Sequence, residues 1–86
     1  MLVLLAAPAV AAEQMDVAPE LWDRPRSARS VLEQQAIRDA VRAHIALPGS
    51  RMIIHHGYGP TPLLQAEELR AWLMTLAVDA SRISLL

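Results

Sequence analysis

The chain contains no cysteine and no phenylalanine, and only two Trp and one Tyr. Without cysteine there is no disulfide, the staple that small exported domains commonly use, and no thiolate for a Cys-type metal site. With only Trp22, Trp72 and Tyr58 as aromatics, there is no stacking platform for bases or sugars. Charge of one sign is also missing: 8 basic and 9 acidic residues give a net charge of −1. No basic stripe exists to neutralise phosphates, so nucleic acid is not an expected partner. Finally, no apolar run reaches the about 20 residues that a helix needs to cross a ~30 Å hydrocarbon layer.

What is there begins with an apolar end. The 86 residues make one domain at most. Residues 1–12, MLVLLAAPAVAA, are almost wholly apolar. Too short to span a membrane, they match the apolar core of a secretory signal, with Val10-Ala11-Ala12 at the positions a signal peptidase reads. No Lys or Arg precedes the run, so either Met1 supplies the positive charge through its amine or the true start lies upstream. The competing reading is an N-terminal apolar helix packed into the fold. The expectation is therefore export to the periplasm, with cleavage near Ala12. The remaining chain would bury only about 60% of its unfolded surface, so packing or a partner must stabilise it.

Residues 13–29 read as a mature N-terminal tail, with a weak strand at Glu20-Leu21-Trp22 and a polar connector, DRPRSARS, broken by Pro25. Arg24, Arg26 and Arg29 read as solvated. Residues 30–86 read as the folded domain. Ser30 to Glu33 has the form of a capping box. Ile37, Ala40, Val41, His44 and Ile45 then recur at helical spacing. Leu32 falls off that stripe, which predicts a kink or separate turn near Gln34, and Pro48-Gly49 ends the helix. Arg51 to His56 reads as a strand covered on both faces. Gly57, Gly59, Pro60 and Pro62 forbid regular structure, with Thr61 capping a second helix and Pro62 in its first turn. In that helix Ala66, Leu69, Leu73, Leu76 and Ala77 share one face, and Glu67, Glu68, Ala71 and Thr75 lie opposite. Residues 78–81 form a turn, and Arg82 to Leu86 alternate as a terminal strand. The order is strand (weak), helix, strand, helix, strand. Strands joined through a helix lie parallel, so the expected fold is a small two-layer α/β (α+β) sandwich, with the helices on one face of a short sheet.

"MIIHHG … QAEELRAWLMTLAVDASRISL" resembles the end of the peptidoglycan-associating C-terminal domain of outer membrane protein A, the OmpA-like domain. That family shows a strand ending in Gly, a loop, a helix opening on Arg-Ala, then Gly-Ile-x-x-x-Arg/Lys-Ile. Ala66 matches the Ala of the Arg-Ala pair, and Leu73, Val78, Arg82 and Ile83 match the later pattern. The resemblance covers about residues 50–84, and 20–49 weakly. It implies the same α/β fold in the cell envelope. The family's ligand residues are largely absent: Tyr58 and Gly59 follow Gly57 where the family has the Asp that holds diaminopimelate, and Gln65 stands for its Arg. The Asn and Leu-Ser of the ligand loop have no counterpart in the shortened Gly57–Gln65 loop. Gln cannot replace the charge of a bidentate Arg clamp, so peptidoglycan binding is expected to be weak or absent.

The adjacent His55 and His56 are the first candidates for chemistry. Neighbours on a strand point to opposite faces, so the pair does not suit one metal. No metal site and no cofactor is expected. His44 reads as a satisfied, half-buried histidine. Gly57-Tyr58-Gly59-Pro60 lacks the spacing and Lys of a phosphate loop, yet lies between a strand's C-terminal end and a helix N-terminus, where ligands of α/β sheets collect. The free amides of residues 61–64 offer an anion a place there. Candidate ligand-binding residues are thus His55, His56, Tyr58 and Gln65. Trp22, Trp72 and Met74 either cover the core or form an interface, since aromatics and Met are enriched at interfaces. Ser50, Ser81 and Ser84 have no context marking a nucleophile. The expected function is a non-enzymatic binding or accessory module of the cell envelope. The alternatives are an interaction subunit that dimerises or docks on an envelope protein and, last, a metal protein or enzyme using His55 or His56.

Overall fold

The computed structural model describes residues 2–7, 13–47 and 49–86. The described strands are β1 (Leu2–Ala7), β2 (Glu13–Val17), β3 (Arg51–His55) and β4 (Ile83–Leu85), in the sheet order β2-β1-β3-β4. The helices are α1 (Ala28–Glu33), α2 (Gln35–Ala46) and α3 (Pro60–Thr75), with 3-10 turns at Pro19–Asp23 and Ala80–Arg82. β1 pairs antiparallel with β2, from Leu2↔Val17 to Ala6↔Glu13, and antiparallel with β3, from Val3↔His55 to Ala7↔Arg51. β3 and β4 are parallel, joined through α3, as the strand–helix–strand pattern requires.

α2 packs on β1, β2 and β3, and α3 on β1, β3 and β4. Along β3 only alternate residues are enclosed: Met52 and Ile54 are fully buried, Ile53 and His55 are half-buried, and Arg51 is exposed. A period of two leaves one face under the helices and the other open. The expectation of a strand covered on both faces is corrected accordingly. The result is a two-layer α/β sandwich. Its core joins Leu2 and Val17 of the hairpin to Ile37 and Ala40 of α2, Met52 and Ile54 of β3, and Ala66, Leu69 and Leu73 of α3.

Several elements differ locally from expectation. The segment expected to be a removable leader supplies β1, the strand between β2 and β3, while the expected cleavage region at 10–12 lies outside the described residues. The expected N-terminal tail supplies β2. The weak strand at residues 20–22 is instead part of the 3-10 turn Pro19–Asp23, which buries Leu21 in the core, with its amide donating to the Ala18 carbonyl at 3.2 Å. The capping box begins three residues earlier than expected: Ser27 caps α1 and Ser30 reciprocates. Likewise Gly59, at φ 105°, precedes α3 and Pro60 opens it, rather than Thr61 and Pro62. The break between α1 and α2 falls at Gln34, which leaves helical geometry at ψ 114°. Ile45, expected on the buried stripe, is 69% exposed; α2 ends one residue later, and its buried residues are Ile37, Ala40, Val41 and His44.

α3 closes in a Schellman arrangement. The Val78 amide donates to the Leu73 carbonyl at 3.0 Å and the Ala77 amide to the Met74 carbonyl at 3.1 Å. Val78 is buried beside Leu73, the apolar contact this motif favours. The motif places Ala77 at φ 74°, where glycine carries no Cβ penalty. Ala77 is exposed, so Ala77→Gly loses no packing. It is expected to stabilise the protein by about 0.5–1 kcal/mol, raising Tm by roughly 2–8 °C. A lower Tm in a thermal melt would contradict this geometry.

The connector before α1 is tied to α3 by a charge pair. The Arg26 guanidinium donates through Nε to Glu68 Oε2 at 2.6 Å and through Nη2 to Glu68 Oε1 at 2.8 Å. It lies 5.5 Å from the Trp22 ring centre, within cation–π range. Trp72 Nε1–H donates to the same carboxylate at 3.2 Å. Arg26 is therefore not merely solvated, and both tryptophans are engaged within the domain, half-buried against its core. The hydrogen bond from Arg26 holds the Glu68 carboxyl below its ordinary range. A depressed folded value means that the stabilisation is present above the ordinary carboxylate pKa, about 4.3, and is lost as pH falls through the folded value. Wild type is thus expected to exceed Glu68→Gln in stability near pH 7, with the gap closing on acidification. A gap independent of pH in denaturant titrations would contradict the pairing.

Candidate functional site

β3 ends at His55, and the chain turns through His56, Gly57, Tyr58 and Gly59 into α3. Gly59 at φ 105° permits the reversal, and Pro60 sets the helical φ that follows. The last residue of the sheet side, Leu86, is held beside this turn: its amide donates to the Ile54 carbonyl at 2.9 Å and its carbonyl accepts from the His56 amide at 3.4 Å. Together these segments line an open cleft of ≈ 550 Å³, formed by His56, Gly57, Tyr58, Gly59, Pro60, Leu63 and Leu86. That volume lies within the range of small-ligand pockets, about 300–1,000 Å³.

The cleft has an apolar character. Tyr58 is fully exposed, Leu86 is 62% exposed, and Leu63 is 40% exposed. Its lining contains no Asp, Glu, Lys or Arg. Two side chains bring polar atoms: the Tyr58 hydroxyl and the His56 ring, whose Nδ1 lies 2.9 Å from the Gly57 carbonyl. With that carbonyl as acceptor, Nδ1 carries the proton, and Nε2 is the acceptor left for a ligand. The expected anion site is corrected. Pro60 and Pro62 have no amide hydrogen, and the Leu63 amide is engaged by the Gly59 carbonyl at 3.4 Å, so the helix start offers few free donors.

Of the candidate ligand residues, the structure brings His56 and Tyr58 together in the cleft. His55 belongs to β3, on the same side as Arg51 and Ile53, and Gln65 is half-buried within α3 and does not line the cleft. Sequence reasoning missed Leu63 and Leu86; the signal for Leu63 was an apolar residue on the polar side of α3. Among the described residues, no three His, Cys, Asp or Glu side chains gather as metal ligands. The interface candidates divide: Trp22 and Trp72 pack on the core, while Met74 is 44% exposed.

Two other places bring polar groups together. His44 and Ser50 are both buried, with His44 Nδ1 3.2 Å from Ser50 Oγ. This pair ties the end of α2 to the turn before β3 and satisfies both polar groups. It lines neither of the clefts described here. A smaller depression of ≈ 220 Å³ at Glu20, Leu21, Arg24, Ser30, Glu33 and Gln34 mixes both charges and has less room. No family model matches this chain, no curated protein matches it, and no solved structure matches it, so the cleft is interpreted from its own residues.

Proposed function

We propose that the protein is a non-enzymatic binding module that takes an uncharged, largely apolar group into the cleft between the β3–α3 turn and Leu86. The observation that carries this reading is the concentration of exposed apolar side chains, Tyr58, Leu63 and Leu86, around a concave site without charged lining. A concave apolar lining with few polar groups suits an uncharged ligand, and a tyrosine anchor gives contact area with a hydroxyl to orient it. His56 Nε2 accepts one hydrogen bond from the ligand. The OmpA-like resemblance enters in a reduced form: without an Asp after Gly57 or an Arg at position 65 there is no charged clamp, and peptidoglycan binds weakly or not at all.

The test is titration of ¹⁵N-labelled protein with end-blocked peptides, apolar or charged, at matched length. Apolar peptides are expected to shift Gly57, Tyr58, Leu63 and Leu86, and Tyr58→Ser is expected to weaken them by about tenfold. Shifts confined to the open sheet face, or a preference for charged peptides, would contradict the reading.

A second reading rests on MLVLLAAPAVAA: the protein is exported, residues 1–12 are removed, and the remainder works in the cell envelope or docks on an envelope protein. That reading requires residues 13–86 to fold without β1.

A further inference from the structure

The two edges of the sheet differ in charge. β2, at one edge, carries the exposed Asp16, and charge on an edge strand discourages pairing with other chains. β4, at the other edge, reads Ile83-Ser84-Leu85 and carries none. Within the β3–β4 ladder, Leu86 turns both its amide and its carbonyl toward β3. Because strand residues alternate, Leu85 turns its amide and carbonyl the other way. Among the described residues no strand lies beside β4 on that side, so the outward amide and carbonyl of Leu85 have no ladder partner there. The next residue, Leu86, lines the apolar cleft.

We propose that the β4 edge and the cleft form one docking surface for an extended segment of a partner protein. The segment's main chain adds beside β4 and exchanges two hydrogen bonds with Leu85. One of its apolar side chains enters the cleft against Tyr58, Leu63 and Leu86. An unpaired amide and carbonyl on one residue call for a peptide carbonyl and amide at strand spacing, so the occupant is a polypeptide rather than a small apolar molecule. The edge and the cleft lining carry no charged side chain, which favours uncharged side chains at the paired positions. A segment longer than the three-residue β4 adds a side chain in the cleft to these two main-chain bonds. The inference rests on the reading of the cleft as a binding site.

The probe is an acetylated, amidated octapeptide of alternating Thr and Val with one central Leu. Two versions carry N-methyl groups on alternate amides, one set on odd and one on even residues. The parent peptide is expected to shift Leu85, Leu86 and Tyr58 in ¹⁵N spectra. One methylated version is expected to lose at least about tenfold in affinity, and the other to bind within about threefold of the parent, because only one edge of an added strand faces Leu85. Equal binding of both versions, with cleft shifts retained, overturns strand addition and leaves the cleft reading standing. No binding of the parent overturns both. A concentration-dependent dimer in sedimentation whose contacts lie on β4 also overturns the proposal, in favour of a second copy at that edge.

Discussion

Deleting residues 1–12 is expected to abolish cooperative folding. β1 is hydrogen-bonded on both sides, to β2 and to β3, and Leu2 is buried against Val17. Without it β2 has no neighbour, and the sheet shrinks to the β3–β4 pair, in which β4 has three residues. Two-stranded structures are marginal in water at best. The apolar face of α2 would then lie over an absent strand. Circular dichroism of residues 13–86 is expected to show no cooperative melt under conditions where the full chain melts cooperatively. A cooperative transition for 13–86 close to that of the full chain would show that β1 is dispensable.

Leu73→Ala is expected to cost about 2–5 kcal/mol, the range for a large-to-small change in a closed core. Leu73 has no exposed surface and packs in the single core beneath the sheet. Small domains hold about 5–15 kcal/mol in total, so this one change removes a large share. Met74, one residue on, is 44% exposed. Met74→Ala is expected to change stability by less than about 0.5 kcal/mol. Equal effects at the two positions in denaturant titrations would show that α3 does not present Leu73 to the core.

The second half of the fold was legible in the sequence because its signals are local. Leu69 and Leu73 recur at helical spacing and are buried as that spacing requires. The β3–α3–β4 order implied a parallel pair, and the register Met52↔Ile83 has that sense. The misfit of Leu32 marked the break at Gln34. The first half was not legible. LVLLAA is apolar without alternation, a pattern shared by a leader, a buried helix and a strand flanked by two others. EQMDV has a polar composition that gives little sign of a strand; the hairpin partner beside it sets its structure. Ile45 misled because helical periodicity does not report how far along a helix the covering core extends.

The candidate site was half legible for the same reason. The glycines and prolines after β3 marked the turn, and His56 and Tyr58 lie in it. Leu86 reaches the cleft only through its ladder bonds to Ile54 and His56. Arg26 and Glu68 meet across 42 residues of sequence, a pairing no local pattern announces. Neighbouring charges suggested a solvated connector, whereas in the fold the long arm of Arg26 crosses Trp22 to reach α3.

Whether Leu2–Ala7 works as a strand in the mature protein decides between a module built around β1 and an exported remainder. Peptide mapping by mass spectrometry of the protein purified from its host tests this most directly. Peptides covering Leu2–Ala7 are expected in stoichiometric amount with those covering β3. A mature protein beginning near Glu13, folded and lacking those peptides, would contradict this.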